Sequence, residues 1–221
     1  MSSRDIPQAR QHGAGRRGQT ARRGAETRRR VEEVAAKRFT RDGYAASTMQ
    51  AIADEAGVHV QTVYLAYGTK SALLAACAAR LVAGTEDPQT HPSERRWARE
   101  ISCEPDPRAK LALYVEHIAE VAPRSTPLLD VLRATAPAEP DVAAFLAHME
   151  DGRRQGPLEL LGRQVPPDTW RPGLTPDEVA DIVSTVASPD TLRSLIDRCG
   201  WDEAAAKAWI LRVLERELLG E

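Results

Sequence analysis

Residues 48–74, TMQAIADEAGVHVQTVYLAYGTKSALL, constrain this chain more tightly than any other stretch, because their pattern fits two short helices hinged at a glycine. Thr48 is placed to cap the first helix. Met49, Ile52, Ala53 and Ala56 then recur at helical spacing on one face, and Gly57 stands where the chain needs a left-handed residue to stop. Val58 and Val63 can plug the angle between the two helices, and the small Ala53 lets them cross closely. The second helix is different in character. His59, Val60, Gln61, Thr62 and Tyr64 lie on or near its rim, a set that a buried helix would not usually carry. Two short helices with a small residue at the crossing and a polar second member have the layout of a helix-turn-helix DNA reader.

The residues upstream extend the pattern. Val31, Val34, Ala35 and Phe39 form an apolar helical stripe that runs into Gly43 and Tyr44, ahead of Thr48. Then follow Ile52-Ala53, Ala56-Gly57-Val58, Thr62-Val63-Tyr64, and Lys70 with Leu73 behind it. This string resembles the DNA-binding domain of the TetR family of one-component transcriptional regulators. The resemblance implies an all-α chain, with an N-terminal three-helix helix-turn-helix domain followed by a helical-bundle domain for ligand binding and dimerisation. It implies a homodimer on a palindromic double-stranded DNA operator, released by a small-molecule effector. It also implies DNA contacts: Thr48, Tyr64 and Lys70 to phosphate, and His59, Val60, Gln61 and Thr62 to base edges. Four residues depart from the usual pattern and bear on the DNA sequence read rather than on the fold. His59 stands for a frequent Ser, Leu65 and Ala66 for aromatic or His residues, and Tyr67 for a frequent Phe.

Charge supports a polyanion partner at one end of the chain. The whole sequence balances 30 basic against 32 acidic residues, yet residues 1 to 80 hold 14 Lys plus Arg against 7 Asp plus Glu. A basic head on an acidic body fits nucleic acid at the head. Nine arginines fall within residues 1 to 30, among Gly, Gln and Ser with almost no apolar residues, so residues 1–24 are expected to be a disordered basic arm. Arg28, Arg29 and Arg30 enter the first helix beside the DNA face, and an arm there could follow a minor groove or the phosphates. The competing reading is a solvated tail, enriched in arginine by a GC-rich genome. The expected boundaries are 1–24 for the arm, 25–75 for the DNA-binding domain and 76–221 for the C-terminal domain.

No apolar run approaches the roughly 20 residues of a membrane span, and no hydrophobic segment follows the Arg-rich start, so a cytoplasmic protein without membrane contact is expected. Cys77, Cys103 and Cys199 are odd in number, widely spaced and without CxxC or nearby His pairs. They read as small buried hydrophobes rather than as a disulfide framework or zinc site. No cofactor is implied.

Helical signals continue to the C-terminus without strand alternation. Trp97 and Ile101 mark a short helix. Leu111, Tyr114, Val115, Ile118 and Val121 trace a stripe that Pro123 should cut off, with a new helix capped at Thr126-Pro127 and carrying Leu128, Leu129 and Leu132. A helix from near Asp141 should kink or divide at Gly156-Pro157. Thr175-Pro176-Asp177-Glu178 combines an N-cap, an N1 proline and a capping-box glutamate, the strongest helix start in the chain. Two C-terminal amphipathic stretches resemble the family's dimerisation element, which places Val183, Val186, Trp209, Ile210 and Val213 at or near a dimer centre. The alternative is that this apolar surface folds back on its own domain.

An enzyme on a helical bundle is the rival class. The sequence offers it no HExxH, ExxH, GxSxG or phosphate-cradling glycine loop. A DNA-binding scaffold that senses nothing is a third reading, distinguished by the absence of ligand-induced release. If a sensor pocket exists, the resemblance places it among the middle helices, with Tyr114, His117, Leu129, Arg133, Phe145, His148 and Met149 as candidates and a largely hydrophobic effector expected.

Overall fold

A computed structural model describes residues 12–84 and 87–219, with side chains from Arg22 onward. The described residues are helical throughout their regular structure. The chain divides into two compact units, Met1–Leu73 and Leu74–Glu221.

The N-terminal unit holds α1 (His12–Asp42), α2 (Met49–Ala56), α3 (Val60–Tyr67) and the start of α4 (Lys70–Ala83). Helix α1 begins well upstream of the expected domain boundary at residue 25, so residues 12–24 continue a helix rather than forming a separate disordered arm. The physical reason is propagation: once the Val31 to Phe39 stripe anchors the helix, each added residue gains a backbone hydrogen bond without a new nucleus. Residues 1–11 of the expected arm lie outside the described residues. Val31, Ala35 and Phe39 are buried together with Met49, Ile52, Ala53, Ala56 and Val63, and these form the core of the head. Arg38 on α1 donates to Glu55 on α2 at 2.8 Å, fixing the outer side of the same crossing.

The C-terminal unit continues with α5 (Arg96–Cys103), α6 (Pro107–Thr135), α7 (Pro140–Pro157), α8 (Pro176–Val186), α9 (Pro189–Arg193) and α10 (Glu203–Leu219). Helix α10 packs on α6 and α8, and α9 packs on α6, around a core that includes Ile101, Leu111, Tyr114, Leu161, Val183, Ile210, Leu214 and Leu218. The Thr175 capping box forms as its residues dictate, the Thr175 backbone N–H and hydroxyl both reaching Glu178 at 2.8 Å. The α winding of α7 gives way to a wider π-type turn over Leu158–Gly162, directly after Gly156-Pro157.

Helix α6 overturns one expectation. It runs unbroken for 29 residues with Pro123 and Pro127 inside it. Both prolines are exposed and one turn apart, so the two missing N–H groups fall on one solvent-facing edge where the helix can bend. On the buried side the Ser125 and Thr126 hydroxyls donate to the Val121 and Ala122 carbonyls at 2.9 and 2.6 Å. Packing against α9 and α10 holds the helix through a point where local preference would end it. Arg124, between the prolines, donates to the Leu81 and Val82 carbonyls at 2.7 and 3.3 Å and so closes the end of α4. That end turns at Gly84, whose φ of +65° favours glycine, and a Cβ there would meet the Arg124 guanidinium at 2.9 Å.

The cysteines also differ from expectation. Cys77 is buried, but Cys103 and Cys199 are exposed, because each lies at a helix end rather than on a packed stripe.

Candidate nucleic-acid interface and ligand region

The head is built outward from its turn. The Thr48 hydroxyl accepts from the Ala51 N–H at 3.1 Å and stops α2 from fraying. As an acceptor there it can still donate its own proton to a phosphate oxygen. Gly57 takes φ 65° and ψ 40°, the left-handed conformation that ends α2, and its N–H satisfies carbonyls of the last turn. Helix α3 then starts at His59, whose side chain makes no capping bond and remains exposed.

Orientation on α3 follows from the one buried position. Val63 is 1% exposed and points into the crossing with α2. At about 100° per residue, Gln61 and Leu65 each lie about 160° around the helix from Val63, while Thr62 and Tyr64 flank that outer line at about 100°. Val60 lies only about 60° from Val63 and is half-buried, so it sits toward the shoulder of the helix rather than its crest. Gln61 and Thr62 are exposed. The four residues expected to read bases therefore separate: Gln61 is on the crest, Thr62 beside it, Val60 withdrawn, and His59 exposed at the N-terminal end of the helix.

Leu65, noted in the sequence only as a departure from the usual pattern, was not among the residues expected to touch DNA. It is 89% exposed and Tyr64 is 51% exposed, and these are the two large apolar side chains left open among the described residues. The signal was available in the sequence, since Leu65 is one helical turn after Gln61 on the line opposite Val63.

Lys70 is half-buried and does more than face a partner. Its ammonium donates to the Tyr44 carbonyl at 2.8 Å and lies 4.1 Å from the centre of the Tyr44 ring. This fixes the loop between α1 and α2 and leaves further ammonium protons for phosphate. Tyr67, the departure from the more common Phe, shares its phenolic proton between Glu32 Oε1 at 3.0 Å and the Arg28 carbonyl at 3.3 Å. Arg28 is thereby fixed through its backbone, with its side chain exposed alongside Arg29 and Arg30.

In the C-terminal unit the candidate ligand residues are placed less uniformly. Tyr114 and Leu129 are buried in the core, and burial pushes the Tyr114 phenol well above its ordinary range. Phe145 and Met149 are half-buried on α7, and His148 is exposed. Arg133 is committed to a two-bond ion pair with Asp190, at 2.9 and 2.6 Å, which ties α6 to α9 and holds the Asp190 carboxyl below its ordinary value. Arg153 on α7 approaches the same carboxylate at 3.8 Å. His117 stacks on Trp97 with ring centres 3.9 Å apart and planes 11° from parallel. Burial lowers its pKa to about 4, with Arg124 and Arg95 adding to the effect against Glu120.

His117 and Trp97 wall a cavity of about 390 Å³ with Leu113 and Ala119, rimmed by Arg96 and by Glu100, Glu116, Glu120 and Glu203. The charged rim does not match the apolar chamber expected for a largely hydrophobic effector. Of the seven candidate residues, His117 is the one that lines it.

The expected dimer residues need correction. Val183 is 0% and Ile210 1% exposed within the protomer's own core, leaving no surface for a partner. Their stripes are consumed by α8 and α10 packing on each other and on α6. Val186, Trp209 and Val213 remain half-buried.

A helix-turn-helix head with a basic balance, followed in the chain by a separate all-α unit, is the layout of one-component DNA-binding regulators. Residues 33–77 match the family model for bacterial regulatory proteins of the tetR family. No curated protein sequence matches the chain. Solved structures of like fold include NalD of Pseudomonas aeruginosa, the secondary repressor of the MexAB-OprM multidrug efflux pump, at 19% identity and TM-score 0.68, covering 90% of this chain and 99% of that one. A regulator from Saccharomonospora viridis, solved in complex with choline, covers 89% of this chain and 100% of its own at 18% identity and TM-score 0.68. The FadR regulator of Bacillus subtilis, solved with stearoyl-CoA, covers 84% and 96% at 16% identity and TM-score 0.64. Residues 33–77 are thus a tetR-family DNA-binding segment, and the chain shares its fold with solved TetR-family regulators.

Proposed function

We propose that this protein is a cytoplasmic, ligand-responsive repressor that binds a palindromic operator as a homodimer and leaves it when a small molecule occupies its C-terminal unit. The observation that carries this reading is the crest of α3, where Gln61 and Leu65 stand opposite the buried Val63 with Thr62 and Tyr64 beside them. Thr48, Tyr64 and Lys70 serve as phosphate anchors around that crest, with Arg28 as a further basic group. One α3 spans only a few base pairs, so two copies are required for useful specificity. The half-buried Val186, Trp209 and Val213 are the side chains left for the dimer contact.

The choline and stearoyl-CoA complexes of proteins with this fold support ligand sensing in the C-terminal unit. The cavity beside His117 is rimmed by charge pairs, Lys207 with Glu116 and Glu203, Arg124 with Glu120 and Arg96 with Glu100, and so suits an effector that carries a polar group rather than a purely hydrophobic one. Helix α4 begins in the head and ends under the Arg124 bonds, so a ligand that shifts α6 has a continuous helix through which to bias the head. By linkage, an effector that weakens operator affinity is itself bound more weakly by the DNA-bound form, by the same factor.

The test is selection of duplexes from a random DNA pool by the full-length protein, followed by sedimentation of the complex. The expected product is an inverted repeat bound by two protomers, with half-site centres one helical turn or a multiple of it apart. A compound screen by thermal shift on the free protein should then yield ligands that also release DNA in the same concentration range. Failure of any sequence to enrich would overturn the repressor reading, and ligands that stabilise without releasing DNA would favour a scaffold.

A further inference from the structure

We propose that Leu65 reads a thymine methyl group in the major groove, about two base steps from the base contacted by Gln61. The proposal rests on the repressor reading above and names one element of its operator.

Leu65 is 89% exposed, whereas the other aliphatic side chains of similar size among the described residues of the head are buried or half-buried. A leucine left so open gains free energy only by meeting an apolar surface. Its surroundings exclude an extended protein-binding patch, because the exposed Gln61 and Thr62 beside it are polar and, among the described residues, only Tyr64 adds a second large exposed apolar side chain. Two side chains fall far short of the area that a stable protein interface buries. Among base edges in the major groove, the apolar feature is the C5 methyl of thymine. The same line on α3 that points Gln61 outward points Leu65 outward, four residues further on. Four residues of α-helix rise roughly 6 Å, and base pairs step about 3.4 Å, so the two side chains meet positions close to two steps apart. Gln61 can pair bidentately with adenine, and Leu65 supplies the apolar contact that an amide cannot.

The experiment uses the full-length protein and the operator recovered by selection. Each thymine of a half-site is replaced in turn by deoxyuridine, which removes only the methyl group, and affinities are compared for wild type and Leu65→Ala. At one thymine per half-site, about two steps from the Gln61 contact, wild type should lose affinity about 4-fold, the loss expected for one unburied methyl-sized group. Leu65→Ala should bind the unmodified operator more weakly by at least that factor and show no further loss on deoxyuridine. Placing cytosine and then 5-methylcytosine at the same position should restore part of the wild-type affinity with the methyl group and none of the variant's. Because Leu65 is exposed, its melting temperature serves as the folding control and should be unchanged. Equal deoxyuridine penalties in wild type and variant, or no penalty at any thymine, would overturn the methyl contact while leaving the repressor reading intact. Absence of operator binding by wild type would overturn the repressor reading itself.

Discussion

The Tyr67 hydroxyl donates to the buried Glu32 carboxylate at 3.0 Å and joins the end of α3 to α1. This bond holds the C-terminal end of α3 against α1. Tyr67→Phe should therefore lower the stability of the N-terminal unit by about 1 to 2 kcal/mol, the net value of a hydrogen bond to a charged group with part of its solvation recovered. Operator preference should be kept, since Tyr67 lies about 40° from Val63 on α3, well away from the crest. Chemical denaturation with a head-specific probe measures the first effect, and competition between operator variants the second.

Lys70 and Gln61 should separate anchoring from reading. Lys70→Met removes a bond to the Tyr44 carbonyl as well as a cation, so it should cost about 1 to 2 kcal/mol of stability. It should also weaken all DNA sequences alike and reduce the log-log salt slope by about 0.9 per protomer. Gln61→Ala should leave stability and salt slope unchanged and relax preference at one position per half-site at a cost of about 1 to 3 kcal/mol. Titrations across a salt series on operator and random DNA distinguish the two patterns, and identical behaviour of the variants would remove the distinction.

His117 gives the C-terminal unit an acid sensitivity of defined sign. Its folded pKa of about 4 lies below the ordinary 6.5, so the unfolded chain takes up the proton first as pH falls. Stability from the neutral, stacked imidazole is present in full above about pH 6.5 and is lost between there and about pH 4, at most about 3 kcal/mol in total. His117→Phe keeps a ring against Trp97 and removes the titration. Unfolding free energies measured from pH 7 to pH 4 should fall less steeply for the variant, and parallel curves would show that His117 does not govern this window.

Two substitutions four residues or fewer apart on α10 should have opposite consequences. Ile210→Asp buries a carboxylate in the protomer core beside Val183 and Leu214 and should unfold the C-terminal unit. Val213→Asp places its charge on the half-buried side of the helix and should split the proposed dimer while the protomer stays folded. Analytical ultracentrifugation combined with circular dichroism reads both outcomes. A folded Val213→Asp dimer of wild-type affinity would move the interface elsewhere.

The turn chemistry of this protein was determined by short stretches of sequence. Thr48, Gly57, Thr175 and Gly200 act through bonds and backbone angles within three or four residues, and the structure places caps and left-handed turns at each. The spacing of Ile52, Ala53, Val63 and Phe39 likewise fixed which faces of the head are buried, because one small core leaves few ways to cover them. Other features depended on elements distant in the chain. Whether Pro123 ends a helix depends on α9 and α10, whose packing outweighs the two lost hydrogen bonds. Whether Val183 and Ile210 meet a partner or their own protomer depends on which helix covers the stripe, and periodicity marks a face as apolar without naming what covers it. The same limit applied to Lys70, whose partner Tyr44 is 26 residues away, and to Leu65, whose exposure is defined only once Val63 is seated against α2.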